Sequence, residues 1–301
     1  MIEFWKAQGV SRTLLDAVEH YRQQYPWHGQ RPMAEPRYRY YGREVLEKAV
    51  TAMIAGENLL LVGPKATGKN VLAENLAAAF GRPDWNISFH INMDAAHLLG
   101  SDTFRNGAVE FCPGPVYECA KWGGFGVLDE INMARNEALA VLHSLLDFRR
   151  ILDIPGQGRL QLHPAARFIA TMNYGYAGTR ELNEALASRF VVLQLPTIAA
   201  ADLERLIGGE FPHMTDAGRR LLVGLFLDLQ QKCEQGEISS KAVDIRGLLD
   251  AIHLMEVGLD VYPALSMGIV DKCFVEEERD MVKDTIALRI SETMRAAELF
   301  A

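Results

Sequence analysis

Leu59-Leu60-Leu61-Val62-Gly63-Pro64-Lys65-Ala66-Thr67-Gly68-Lys69-Asn70-Val71-Leu72-Ala73-Glu74-Asn75-Leu76-Ala77-Ala78-Ala79-Phe80 is the stretch from which the rest of the chain is placed. Four apolar residues form a short strand-like run, Gly63 and Pro64 break it, and a run of strong helix formers follows. Strand, glycine loop and helix N-terminus are the context a phosphate-binding loop requires. Glycines let the backbone fold back so that several N–H groups point at one anion, and Lys69 supplies a point charge for β and γ phosphates. Gly63, Pro64, Lys65, Ala66, Thr67, Gly68, Lys69, Asn70 and Val71 are therefore the candidate nucleotide contacts. One position departs from the pattern. Such loops end in Ser or Thr, whose hydroxyl ligates Mg²⁺, and here the residue is Asn70. An amide oxygen can also ligate a hard cation, but from a longer side chain, and Mg²⁺ tolerates little departure from octahedral geometry.

Working outward, short β-rich runs alternate with helical patterns from about Tyr41 to Pro196: Asn58 to Val62, Asn86 to Asn92, Phe125 to Asp129, Arg167 to Asn173 and Val191 to Leu195. Strands separated by helices of 10 to 15 residues imply a parallel sheet covered on both faces, a doubly wound α/β domain with five strands. Two insertions interrupt it. Thr103 to Phe111 carries Asn106-Gly107 between alternating segments, and Arg149 to Pro164 carries Pro155-Gly156-Gln157-Gly158 between another pair. Both read as β-hairpins, the first interrupting a helix; taken alone, both are surface decorations. After Pro196 helical spacing takes over, at Ala200 to Leu206, Ala217 to Cys233, Ile245 to Val257 and the charged Glu276 to Leu299. The expected organisation is an N-terminal extension over 1–40 with a short helix near Leu14 to Tyr21, an α/β core over 41–196 and a helical domain over 197–301. Trp5, Trp27 and Tyr38 to Tyr41 read as packing anchors.

Two further strands end in polar residues. Gly124-Phe125-Gly126-Val127-Leu128 runs into Asp129-Glu130, delivering two carboxylates to the edge of the sheet where the phosphate loop lies and where open α/β sheets place ligands. Asp129 would hold a metal and Glu130 would polarise an attacking water. Phe168-Ile169-Ala170-Thr171-Met172-Asn173 ends in an amide that can donate to a γ-phosphate or position the lytic water, or can simply turn the chain before Tyr174-Gly175. Ala187-Ser188-Arg189-Phe190 precedes the fifth strand, so Arg189 is either a cation at a helix C-terminus or a group that reaches a neighbouring subunit's nucleotide.

Composition sets outer bounds. The 301 residues are 49% hydrophobic and 23% charged, which is ordinary for a globular protein. A net charge of −8 has the wrong sign for a surface built on nucleic acid. No apolar run approaches the ~20 residues of a membrane helix, and the N-terminal MIEFWKAQGVSRTL lacks the basic stretch and apolar core of a secretion signal, so a cytoplasmic location without membrane insertion is expected. Cys112, Cys119, Cys233 and Cys273 form no C-x-x-C pair, and the eight histidines form no ligand cluster.

The order of phosphate loop, Asp-Glu strand, Asn-ended strand and arginine before the last strand, with a helical region after it, resembles an AAA+ ATPase, specifically the MoxR branch near the dynein-related group in the helix-2-insert clade. The stretches LDEINMARNEALAVLHSLLDFRRILDI and FIATMNYGYAGTRELNEALASRFVVLQLP carry the resemblance, which covers about residues 41 to 260. It implies ATP and Mg²⁺ as ligands, with Lys69 on the phosphates, Asp129 and Asn70 on the metal, Glu130 as catalytic glutamate, Asn173 as first sensor and Arg189 as a finger acting in trans. Val243-Asp244-Ile245-Arg246 opens a helix where the family places a lid arginine, with Asp244 as N-cap and Ile245 replacing the family's proline. Tyr41 and Gly42 fall where relatives touch adenine. The resemblance further implies a homo-oligomer, a hexameric ring whose hairpins face the pore or a partner and whose helical lid closes on ATP. Its work would be remodelling or maturing a client, such as a protein with a von Willebrand factor A domain; the motor of magnesium chelatase shares the insertions. The alternative is a nucleotide-gated assembly scaffold with little or no hydrolysis, because of Asn70.

Overall fold

The computed structural model describes residues 1–33, 35–105, 107–173 and 181–301. Its strands are β1 (Leu59–Val62), β2 (Asp84–Ser88), β3 (Gly100–Arg105), β4 (Ala108–Pro113), β5 (Phe125–Asp129), β6 (Ile151–Ile154), β7 (Gly158–Gln161), β8 (Arg167–Met172) and β9 (Val191–Gln194). Five of them make one parallel sheet in the order β2-β5-β8-β1-β9. The central strands are continuous apolar runs because both faces are covered: alternate side chains enter two separate cores. Leu59, Leu61, Val127 and Ile169 pack on one side with the helices Arg43–Ala55 and Lys69–Ala79, while Leu60, Val62, Leu128 and Ala170 pack on the other. Burying one such leucine contributes about 1.5 to 3 kcal/mol. A one-residue slip of β1 would exchange the two sets of side chains, so the register that puts Leu61 beside Thr171 is strongly specified.

The second strand differs from expectation. It runs Asp84–Ser88 rather than Asn86 to Asn92, because β5, its sheet partner among the described residues, ends at Asp129; Phe89 N–H bonds to the Asp129 carbonyl at 2.8 Å. Both insertions are hairpins. β3 and β4 pair antiparallel between the helices Ala95–Leu99 and Pro115–Trp122, with Phe104 opposite Val109 and both exposed. Asn106 of the expected turn lies outside the described residues. β6 and β7 pair antiparallel and bury Leu152 and Ile154.

The N-terminal segment holds two helices where one was expected. Arg12–Gln24 is opened by Ser11, whose side chain accepts the Leu14 N–H. Ile2–Ala7 precedes it and buries Trp5 completely.

The chain divides into two compact units, Met1–Gly63 with Gly68–Pro196, and Pro64–Thr67 with Thr197–Ala301. From Thr197 onward the regular elements among the described residues are helices, apart from a single bridge between Met214 and Phe300. The helices are Ala200–Glu210, Asp216–Glu234, Ile245–Glu256, Val261–Gly268 and Glu276–Ala287. The last stops twelve residues short of the Leu299 its charge pattern suggested. There Ser291 takes the Thr293 N–H on its hydroxyl and the Met294 N–H on its carbonyl, a turn that competes with helix. Among the described residues no helix is long and apolar enough to cross a membrane.

Candidate functional site

The loop after β1 turns through two residues in the left-handed region, Ala66 at φ 63° and Gly68 at φ 78°. Gly68 is required twice over, because a Cβ there would also lie 3.2 Å from the Tyr40 ring. Thr67 closes the loop internally by donating its hydroxyl to the Pro64 carbonyl at 3.1 Å. Lys69 opens the following helix with its ammonium turned back along the loop, donating to the Gly63 carbonyl at 3.0 Å. Its side chain is buried, and burial lowers its pKa from 10.5 to about 8 against the opposing pull of Asp129 and Glu130. A buried ammonium at the head of a helix favours an anion beside it. Asn70, next along the helix, is half-buried.

The ends of β5 and β8 are wired together through side chains. Thr171, 1% exposed, donates its hydroxyl to Asp129 Oδ1 at 2.6 Å and accepts the Glu130 N–H at 3.0 Å. Glu130 takes a left-handed backbone at φ 53°, a conformation a residue with a side chain holds only when its surroundings enforce it. Asn173 donates its amide to Glu130 Oε1 at 2.9 Å, and Asn132, itself buried, donates to the Asn173 carbonyl at 3.1 Å. Two carboxylates, a hydroxyl and two amides thus stand at the carboxyl edge of the sheet beside the end of β1. Among the described residues no cluster of three or more His, Cys, Asp or Glu could cage a metal. Mg²⁺ needs no such cage, since it is held by one or two protein oxygens together with phosphates and water; Asp129 and Asn70 offer donors of that type.

The chain is similar in sequence to known proteins. Residues 58–190 match the AAA domain of the dynein-related subfamily. The uncharacterized protein SH1500 of Staphylococcus haemolyticus is 36% identical over 238 residues, spanning 77% of this chain and 90% of that protein. YojN of Bacillus subtilis, also uncharacterized, is 33% identical over 245 residues, 80% of each chain. The chain belongs to the dynein-related AAA family. Among solved structures, a RuvB mutant from Thermotoga maritima aligns with 83% of this chain and 70% of its own at 17% identity and a TM-score of 0.47.

The remaining candidates lie as follows. The Arg189 guanidinium donates to the carbonyls of His143, at 3.0 Å, and Ala185, so in this chain it is held by its own neighbours. Burial and that guanidinium lower the pKa of His143. Arg246 opens the helix Ile245–Glu256, where Asp244 accepts its backbone N–H at 3.1 Å and also takes Lys272 Nζ at 2.9 Å. Tyr41 stacks edge-on against Phe4, and Gly42 caps the helix Arg43–Ala55. Tyr40, which sequence reasoning did not single out as a site residue, is the aromatic that meets the loop: its ring faces Gly68, and its N–H is held by the fully buried Asn75 at 3.1 Å. Thr171 and Asn132 were missed as well. The signal for Thr171 was a lone hydroxyl inside an apolar strand buried on both faces, which must find a partner there.

Proposed function

We propose that this AAA protein is an ATPase that works as a homo-oligomeric, hexameric ring and remodels or matures a partner protein in the manner of MoxR relatives, a protein with a von Willebrand factor A domain being the partner type to try first. The observation that carries the reading is the Asn173–Glu130 hydrogen bond, made beside an Asp129 clamped by Thr171. An acid kept for structure alone does not need a neutral amide on its carboxylate and a left-handed backbone to aim it.

In this reading the backbone from Gly63 to Asn70, with Val71 behind it, cradles the phosphates, Lys69 pairs with the β and γ groups, and Tyr41 and Gly42 border the adenine. Bound Mg²⁺, held by Asp129 and Asn70, supplies charge neutralisation on the phosphates. Asn173 donates to the γ-phosphate or aligns the water, using the second N–H of the amide that already grips Glu130. Glu130 accepts a proton from that water as its oxygen bonds to the γ-phosphorus; the bond to the bridging oxygen breaks, leaving ADP and inorganic phosphate. Arg189 leaves the His143 and Ala185 carbonyls on assembly to stabilise the transition state of the next subunit, and Arg246 reads the γ-phosphate from the helical region.

Asn70 favours a second reading, in which ATP gates assembly without turnover. Phosphate release with Mg²⁺ separates the two. The ATPase reading expects turnover by the native chain, its loss with retained ATP binding in Glu130→Gln, and faster turnover in Asn70→Thr. ATP binding without phosphate release in both the native chain and Asn70→Thr establishes the scaffold instead.

A further inference from the structure

The roles proposed above use Asp129, Glu130 and Asn173 but leave unexplained the one buried hydroxyl that joins two of them. Thr171 sits in the interior of β8, 1% exposed, with β5 on one side and β1 on the other. A hydroxyl in that position has to be hydrogen-bonded or cost stability. It makes two bonds, both to the acidic pair: it donates at 2.6 Å to Asp129 Oδ1 and accepts at 3.0 Å from the Glu130 N–H. The first bond occupies one carboxylate oxygen and restricts rotation of the group about its Cβ–Cγ axis, so Oδ2 is the oxygen assigned to a cation. The second stabilises the amide at the residue whose φ of 53° turns the chain out of β5 and sets the direction of the Glu130 side chain. A valine has the same shape and would keep the packing, so the hydroxyl is there for its hydrogen bonds.

We infer that Thr171 is a positioning residue for the divalent cation: it orients the Asp129 carboxylate toward Mg²⁺ and couples that orientation to the aim of Glu130. This rests on the nucleotide-site reading above and adds to it a residue that touches neither nucleotide nor water. Groups that hold a metal-binding carboxylate in place typically matter by about 10- to 100-fold in metal affinity or activity.

The test uses the full chain with Thr171→Val and Thr171→Ser, and a fluorescent ATP analogue titrated first in EDTA and then against Mg²⁺. In EDTA the phosphates are held by groups that need no cation, chiefly the loop and Lys69, so Thr171→Val binds within about twofold of the native chain. The Mg²⁺ concentration that half-maximally tightens binding rises by about 10- to 100-fold in Thr171→Val and returns to within about threefold of native in Thr171→Ser. A native Mg²⁺ midpoint in Thr171→Val overturns the inference. If circular dichroism shows Thr171→Val unfolded, Thr171→Ser against Thr171→Cys decides in its place, since the two are near-equal in shape and differ in hydrogen-bond strength; equal midpoints then overturn it. The readout also separates this inference from the reading beneath it. A native chain that binds the analogue in neither condition removes the nucleotide site and the inference together. One that binds with a Mg²⁺ midpoint but releases no phosphate removes only hydrolysis, and the midpoint of Thr171→Val still decides.

Discussion

Raising the pH from 7 to 9 should weaken nucleotide binding through the titration of Lys69. Its side chain is buried and its ammonium rests on the Gly63 carbonyl; burial brings its pKa down from 10.5 to about 8, with Asp129 and Glu130 opposing. Phosphate binds the charged form. With a free-state pKa near 8, the protonated share falls from about nine-tenths at pH 7 to about one-tenth at pH 9, so affinity falls about tenfold. A bound triphosphate raises the pKa again, so Lys69 takes up about 0.1 proton on binding at pH 7 and about 0.9 at pH 9. Fold stability moves the other way. Between about 8 and 10.5 the unfolded chain holds the proton that the folded chain releases, so the contribution of Lys69 to stability rises with pH across that window. Calorimetry of ATP binding in EDTA, repeated in buffers of different ionisation heat, measures affinity and proton uptake together. Affinity flat from pH 7 to 9 with no proton uptake would refute the reasoning, because it would mean that Lys69 keeps an ordinary pKa in the empty site. Lys69→Met supplies the control: weak binding, with no pH dependence in this range.

Arg189→Ala is expected to keep ATP affinity within a few-fold and lose phosphate release by about 10³- to 10⁵-fold, with native specific activity rising with protein concentration; a dilute monomer at full activity contradicts action across an interface. Gly68→Ala is expected to destabilise the chain by about 1 to 2 kcal/mol, from a left-handed backbone and a methyl 3.2 Å from Tyr40, and to weaken ATP binding. Urea unfolding with native stability would show that the loop relaxes away from the Tyr40 ring.

Much of this site could be read along the chain because each of its strands announces its own end. β1 stops at Gly63, β5 at Asp129-Glu130 and β8 at Asn173, and a doubly wound sheet brings such ends to one edge without further information. The hairpins were legible for a similar reason, since Gly107, Gly156 and Gly158 supply the positive φ that short turns demand. What escaped were the relations between elements. Thr171 looks like one more β-branched strand residue until its register beside β5 is known. Tyr40 and Tyr41 are adjacent aromatics, and only packing shows that Tyr41 turns to Phe4 while Tyr40 turns to Gly68. The helix Val261–Gly268 was hidden by Pro263, which a helix tolerates in its first turn because that N–H has no intrahelical acceptor.

The opposite edge of the sheet makes the pH experiment interpretable. There the chain uses arginines rather than acids. Arg82 donates to the carbonyls of Tyr25, Trp122 and Gly123, Arg167 to those of Met53, Pro164 and Ala166, and Arg150 to that of Ala166. Arg82 also lies 4.9 Å over Trp27, and Arg167 lies 5.2 Å over Tyr21. All of these hydrogen bonds go to backbone carbonyls, and burial lowers the pKa of Arg82 and Arg150. A guanidinium nevertheless stays charged far above pH 9, and burial pushes the Tyr21 phenol, which donates to the Ala165 carbonyl at 2.6 Å, up to about 12. These staples join the N-terminal helices to the starts of β5 and β8 through groups that do not titrate between pH 7 and 9. The edge that carries Lys69 does. A loss of nucleotide affinity in that interval therefore does not come from these staples, and Lys69→Met tests whether it comes from the phosphate loop.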